Sequence, residues 1–189
     1  MNELLPKLQA VFEGDLLTDA RTRRKYSHDA SIYELIPDVV AHPKSADDIK
    51  RLVSFVAEHK PLYPALSIAP RGAGTDMSGG AISNSILVEM TTYFNKIEQV
   101  SSDILHVQPG VYMRDADPLL AKNHVMLGCV PASRALCTLG GMVGNNSGGE
   151  QSLRYGNTER FVKELKVVFA DGNEYVVKPL TKRELDIKM

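Results

Sequence analysis

At 189 residues the chain is long enough for one domain, or for two small lobes sharing an interface. Its 43% apolar and 24% charged residues exclude a disordered chain and match an ordinary globular protein. Twenty-two basic against 23 acidic side chains leave no electrostatic footprint for nucleic acid, and the short basic run at residues 21–25 reads as a solvated patch.

In chain order, residues 2–13 carry the apolar spacing of an amphipathic helix, with Leu4, Leu5, Leu8, Val11 and Phe12 on a broad face and Pro6 tolerated in the first turn. Residues 14–37 show little periodicity and read as an irregular connection. The run Val39, Val40, Ala41 predicts a strand ended by His42 and Pro43. Ser45 then stands three residues before Asp48, a capping-box spacing, and Ile49, Leu52, Val53 and Val56 recur at helical intervals. Apolar runs at 65–69 and 85–90 predict two further strands, giving β-α-β and another strand. Beyond them, residues 104–108 predict a strand ended by Pro109 and Gly110, and 115–123 a helix closed by asparagine. Residues 162–170 and 173–178 predict the arms of a hairpin turning at Asp171 and Gly172. The pattern predicts a largely parallel lobe over 35–95 and a mostly antiparallel one over 96–178, flanked by an N-terminal helix and connection at 1–34 and a terminal stretch at 179–189.

Cys129 and Cys137 lack CxxC spacing and a neighbouring histidine pair, so neither a zinc site nor a disulfide scaffold is expected. The N-terminus has no apolar core of a secretory signal, and the longest apolar stretches fall short of a membrane span. A reducing cytoplasmic compartment is the expectation, with peripheral membrane attachment left open. His28, His42, His59, His106 and His124 are scattered without ligand spacing, so no metal site and no catalytic base is assigned.

Chemistry concentrates in two glycine-rich stretches. Residues 70–80 read Pro-Arg-Gly-Ala-Gly-Thr-Asp-Met-Ser-Gly-Gly between two predicted strands. Such residues permit positive φ and close backbone approach, and consecutive amides in such a turn form a concave nest for an anion such as a diphosphate. Thr75 and Ser78 add hydroxyls, and Arg71 a positive charge. A dinucleotide fingerprint of the Rossmann type would need glycine where Met77 stands and a helix directly after; a P-loop would need Gly-Lys-Ser/Thr. Taken alone, the stretch reads equally as a mobile turn. Residues 137–149 add five glycines, two asparagines and small side chains, the composition of backbone packed against a large flat ligand or of a long surface loop.

Together with residues 39–43 and their helix, 107–111, Pro131, Arg154-Tyr155-Gly156 and 162–172, these stretches resemble the PCMH-type FAD-binding domain of the vanillyl-alcohol oxidase superfamily, and most closely its D-lactate dehydrogenase and glycolate oxidase branch of FAD-linked oxidases. The resemblance implies an α+β fold of two lobes, a small parallel βαβ lobe and a larger mainly antiparallel one, with FAD extended between them. It assigns the diphosphate to Arg71, Gly72, Ala73, Gly74, Thr75, Asp76, Ser78 and Gly79. The flavin side falls to Thr138, Leu139, Gly140, Gly141, Asn145, Ser147 and Gly148, with Pro131 beside the ring system and the backbone of Val162 at the adenine.

Many relatives tether the flavin through a histidine of the first loop; that position is Thr75 here, and Cys137 is one residue out of register for the cysteine link some relatives carry, so non-covalent FAD is expected. In the family a substrate domain follows, and 179–189 would be its start; the branch's histidine-rich substrate and metal motif is not among these residues. The expected function is the FAD-binding portion of an oxidoreductase acting on a small 2-hydroxy acid such as D-lactate or glycolate. It would be incomplete for catalysis alone and could have an electron-acceptor partner. The alternatives are an FAD-holding electron-transfer module and an NADPH-dependent nucleotide-sugar reductase. Arg71 and Arg154 are expected in structural or phosphate roles.

Overall fold

A computed structural model describes residues 1 and 3–188. Residue 2, part of the expected first helix, and residue 189, part of the terminal stretch, lie outside the described residues. The chain begins with α1 (Leu5–Val11), β1 (Asp15–Leu17) and α2 (Ala20–Lys25), followed by β2 (Val39–His42), α3 (Ala46–His59), β3 (Ile68–Arg71) and β4 (Ile86–Glu89). The second half holds β5 (Ile97–Val100), β6 (Leu105–Val107), α4 (Met113–Lys122), α5 (Leu139–Gly144), α6 (Ser152–Tyr155), a 3-10 turn (Thr158–Phe161), β7 (Leu165–Val168), β8 (Glu174–Val177) and α7 (Lys182–Lys188).

Four strands form one sheet in the order β1-β2-β4-β3. β2 and β4 are buried along their whole length, as continuous apolar strands of a parallel sheet must be. They pair in parallel from Val39 opposite Ile86, and β3 joins the other side of β4 with Arg71 opposite Glu89. Pro70 is tolerated because β3 is an edge strand. β4 drops between the two strands of the β2-α3-β3 unit, so the strand ends carrying His42, Arg71 and Glu89 stand side by side. The carboxyl ends of parallel strands are where open α/β sheets hold ligands.

Two stretches depart from the expected irregular connection. β1 pairs antiparallel to β2, and α2 is capped by Asp19, whose carboxylate accepts from Thr22 N at 2.9 Å. Three residues are too few to display alternation, and α2 (Ala-Arg-Thr-Arg-Arg-Lys) has no apolar stripe to betray it. The basic run 21–25 lies largely in this exposed helix. The third strand begins later than the 65–69 run, because pairing with β4 carries it on to Arg71. The expected larger antiparallel sheet is not formed: β5-β6 and β7-β8 are separate two-stranded pieces. Helices α4 to α6 and the 3-10 turn fill the stretch between them, α5 alone being capped by a side chain, Thr138. The second hairpin turns about Gly172 (φ 79) as expected, packed so tightly on α3 that a Cβ there would strike Ser54 Oγ.

Two apolar clusters result. Leu4, Leu8 and Phe12 of the N-terminal segment lie with Leu52, Phe55 and Val56 of α3 against Ile86 and Val88. At about 1.5–3 kcal/mol for each fully buried large apolar side chain, this contact fixes α1 to the sheet. The second cluster joins Met113, Ala116 and Leu120 of α4 to Leu139 and Met142 of α5 and to Cys129 and Cys137.

The start of α3 carries a buried charge. Asp48 N donates to Ser45 Oγ at 3.2 Å, and the fully buried carboxylate accepts from Glu13 N, Lys44 N and Arg51 Nη2, each at 2.9 Å. Burial by itself raises the pKa of Asp48, but the Lys44 amide, the Arg51 guanidinium and the Glu13 amide outweigh it and hold the group below the usual carboxylate range. A carboxylate with a depressed folded-state pKa stabilises the fold above its unfolded pKa and loses that contribution as pH falls through the folded value. Asp48→Asn is therefore expected to cost about 3 kcal/mol at pH 7 in urea unfolding. The gap from wild type should narrow as pH falls below about 4; an equal gap at pH 7 and pH 3 would contradict the ionised role.

Candidate functional site

The loop after β3 divides into two halves by the fate of its amides. Gly72, Ala73, Gly74 and Thr75 donate no backbone hydrogen bond to any described residue. Gly74 takes φ 70, which turns the chain back at this point. The other half is closed on itself. Asp76 Oδ2 accepts from Ser78 N at 3.0 Å, Ser78 Oγ at 2.8 Å and Gly80 N at 2.7 Å, with Gly79 at φ 88. The Gly80 amide foremost, then the Ser78 hydroxyl, holds the Asp76 carboxyl below its usual range. Asp76, Ser78 and Gly79 therefore shape the loop, with their local donors already engaged.

Arg71 lies under this turn, 8% exposed, and donates from Nη1 to Ala81 O at 3.0 Å, closing the loop across its base. A Cβ at Gly74 would collide with the guanidinium, and one at Gly72 with Thr138 Oγ1. Burial lowers the Arg71 pKa, opposed by the charge of Asp29 and by Tyr26, Glu89 and Tyr112. The guanidinium stands 5.5 Å from the Tyr26 ring centroid.

Glu89, 2% exposed, sits at the next strand end. Burial favours its neutral form, but the hydroxyls and amides of Thr91 and Thr92 prevail and leave it below the usual range. Its Oε2 lies 4.0 Å from His42 Nε2, which forms no hydrogen bond, and burial pushes His42 below its ordinary pKa despite that carboxylate. Both directions favour a neutral imidazole beside an ionised carboxylate at neutral pH.

Thr138 joins the two glycine-rich stretches. It is buried against Gly72, accepts from Gly141 N at 3.2 Å as the cap of α5, and bridges to Tyr112. The second stretch is not an open ribbon: its glycines are mostly spent on protein packing. Gly140 presses on Pro109, Gly148 on Asn157 and Ser152, and Gly149 on Val130 and Pro131. Leu139 N donates to Val111 O and Gly140 N to Pro109 O, and Leu139 itself is buried in the second core. Ser147 O accepts from Thr158 N and Oγ1, and Val162 N donates to Glu159 O. Gly141 and Gly144 differ. They are exposed three residues apart on α5: a Cβ at Gly144 would meet nothing within 4 Å, one at Gly141 would lie 3.1 Å from Thr138 Oγ1, and Asn145 beside them is exposed.

Ala73, Gly74, Thr75 and Arg71 face a cleft of about 390 Å³ whose other walls are His28, Asp29, Ala30, Tyr112, Arg114 and Leu136. A hollow of about 370 Å³ near α1 shares no lining residue with it and contains no glycine. Arg114 stacks 3.9 Å from the Tyr112 ring centroid and donates to Ala135 O. The cleft thus gathers the first half of the loop. Pro131, Asn145, Ser147, Gly148 and Val162 are not among its lining residues. Sequence reasoning missed Tyr26, His28, Asp29, Ala30, Tyr112, Arg114 and Leu136. Only the Arg71 charge, which demands buried partners, signalled that such a wall had to exist. Among the described residues no group of three or more His, Cys, Asp or Glu side chains is placed to hold a metal ion, and no helix is long and apolar enough to cross a membrane. Burial pushes the Cys129 and Cys137 thiols up, the state of unreactive buried cysteines.

Comparison with known proteins identifies the family and the fold. The chain is 31% identical over 163 residues to a D-2-hydroxyglutarate dehydrogenase of Haemophilus influenzae, an alignment covering 85% of this chain and 16% of that protein. It is 34% identical over 155 residues to the glycolate oxidase subunit GlcD of Bacillus subtilis, covering 80% and 32%. Its fold superposes on alkyldihydroxyacetonephosphate synthase with a TM-score of 0.76 at 25% identity, over 95% of this chain and 36% of that one. The chain therefore spans about a third or less of the length of these curated relatives. The family model for the FAD binding domain matches residues 37–178, most of the chain and both glycine-rich stretches, and the protein belongs to that family of FAD-linked oxidases.

Proposed function

We propose that this chain is the FAD-holding portion of an oxidoreductase that acts on a small 2-hydroxy acid. The observation that carries the reading is the run of amides at Gly72–Thr75 without a hydrogen-bond partner among the described residues, three of which (Ala73, Gly74 and Thr75) line a cleft beside a buried arginine. Such a nest matches a diphosphate, whose charge the amides and Arg71 offset. The open space at Gly144 of α5, with the exposed Asn145 beside it, suits close approach of a flat ring. Residues 35–178 are the unit that holds the cofactor, with 1–34 packed against it and 179–189 leading away.

FAD supplies the redox chemistry; the protein contributes position and access. Thr75, in place of the tethering histidine, offers no covalent link, so the flavin is held by contacts alone. The relatives named for D-2-hydroxyglutarate and glycolate support a 2-hydroxy acid over a nucleotide sugar. Their greater length supports a substrate-binding part outside these residues.

Three outcomes are expected. Gly74→Val places a β-branched residue at φ 70 against Arg71 and should weaken FAD binding more than about tenfold, read by quenching of flavin fluorescence; unchanged occupancy would remove this loop from the site. Denaturing the loaded protein should release all its flavin, so mass spectrometry showing flavin on the unfolded chain would refute non-covalent attachment. In a protein joining this chain to a substrate part of the relatives' length, D-lactate, glycolate or D-2-hydroxyglutarate should bleach the flavin band anaerobically. Bleaching by NADPH instead would point to the nucleotide-sugar reductases.

A further inference from the structure

We propose that residues 26–33, upstream of the family-matched span, form a wall of the FAD cleft, and that the Asp29 carboxylate accepts hydrogen bonds from hydroxyl groups flanking the bound diphosphate. This rests on the FAD reading above and extends it to a residue type and a ligand group.

Three contacts bind this segment to the loop. Tyr26 lies under the Arg71 guanidinium, Ala30 N donates to Asp76 O at 3.0 Å, and Tyr33 packs its ring where a Cβ of Gly79 would come within 3.1 Å. Asp29 stands between these contacts and lines the cleft together with Arg71, Ala73, Gly74 and Thr75. Its Oδ1 accepts from Ser31 N at 2.9 Å, while Oδ2 is buried and has no hydrogen-bond partner among the described residues. Arg71 does not serve it by an ion pair, since its guanidinium is committed to Ala81 O and wedged beneath Gly74.

A buried carboxylate oxygen without a donor is costly, so a small turn of the Asp29 side chain that opens Oδ2 to a donor in the cleft is favoured. A carboxylate repels phosphate oxygens and attracts hydroxyls. On either side of the FAD diphosphate stands a polyol: the ribose of the adenosine half and the ribityl chain of the flavin half. Carboxylate recognition of ribose hydroxyls beside a diphosphate recurs in unrelated dinucleotide folds. Both sources share one chemistry, and half-ligands separate them.

The test measures dissociation constants of FAD, ADP and FMN for wild type, Asp29→Ala and Asp29→Asn, together with the melting temperature of each protein without ligand. Asp29→Ala should weaken FAD roughly tenfold or more, with Asp29→Asn, which keeps an acceptor oxygen, losing less. The loss should reappear with ADP alone if the ribose is bound, or with FMN alone if the ribityl chain is, at an unchanged ligand-free melting temperature. FAD affinity that is unchanged or improved in Asp29→Ala overturns the inference. So does an equal loss for ADP and FMN with a lowered melting temperature, which would make Asp29 only a counter-charge for Arg71. A wild type that takes up no FAD overturns the cofactor reading itself, and that result is distinct from a loaded wild type with an indifferent variant.

Discussion

Arg71 leaves β3 with its guanidinium out of water, and the shape of the cleft follows from how that charge is accommodated. An unpaired buried cation would be severely destabilising. Here Ala81 O takes one hydrogen bond, the Tyr26 ring lies 5.5 Å away, and Asp29 and Glu89 supply negative potential from two other segments. These partners come from the N-terminal segment, the neighbouring strand and the far end of the same loop. The loop is therefore held from below by Ala81, Tyr26 and Glu89, none of which lines the cleft, and from one side by Asp29, which does. Its upper face is left with four amides and nothing of its own to bond. A nest pre-shaped in this way loses little entropy when an anion arrives.

Thr138 extends the constraint to the second half of the chain. Its hydroxyl fills the space a side chain at 72 would need and caps α5, whose free face begins at Gly141. The first loop and α5 are thus positioned by one buried residue. Glycine at 72 and 74 serves mainly to let protein atoms pack, Thr138 against one and Arg71 under the other. Ligand access is a consequence of that packing.

Much of this was legible in the residues. The buried strands β2 and β4 stood out as apolar runs, α3 was announced by its capping box, and the turn at Gly172 fell where Asp-Gly placed it. The first loop was legible as a glycine-rich turn between strands, but not the packing of Gly72 on Thr138 and of Gly74 on Arg71 that explains two of its glycines. What escaped were elements defined by tertiary contact alone: the three-residue β1, the stripeless α2, and the short helices that absorb the second glycine-rich stretch. The wall at Asp29 escaped for the same reason, because nothing in the local sequence says that residue 30 bonds to residue 76.

The division of the first loop also gives its two halves different electrostatics. Asp76 draws three donors onto one carboxylate oxygen and places a negative charge over residues 78–80. A diphosphate there would meet repulsion and find those donors spent. Four residues earlier the balance reverses, with free amides above a buried cation. The acidic residue that looks out of place in a phosphate loop therefore has a physical role. By tying down the far half, it leaves the near half as the part of the loop that the proposed diphosphate would use, with Thr138 joining that half to α5.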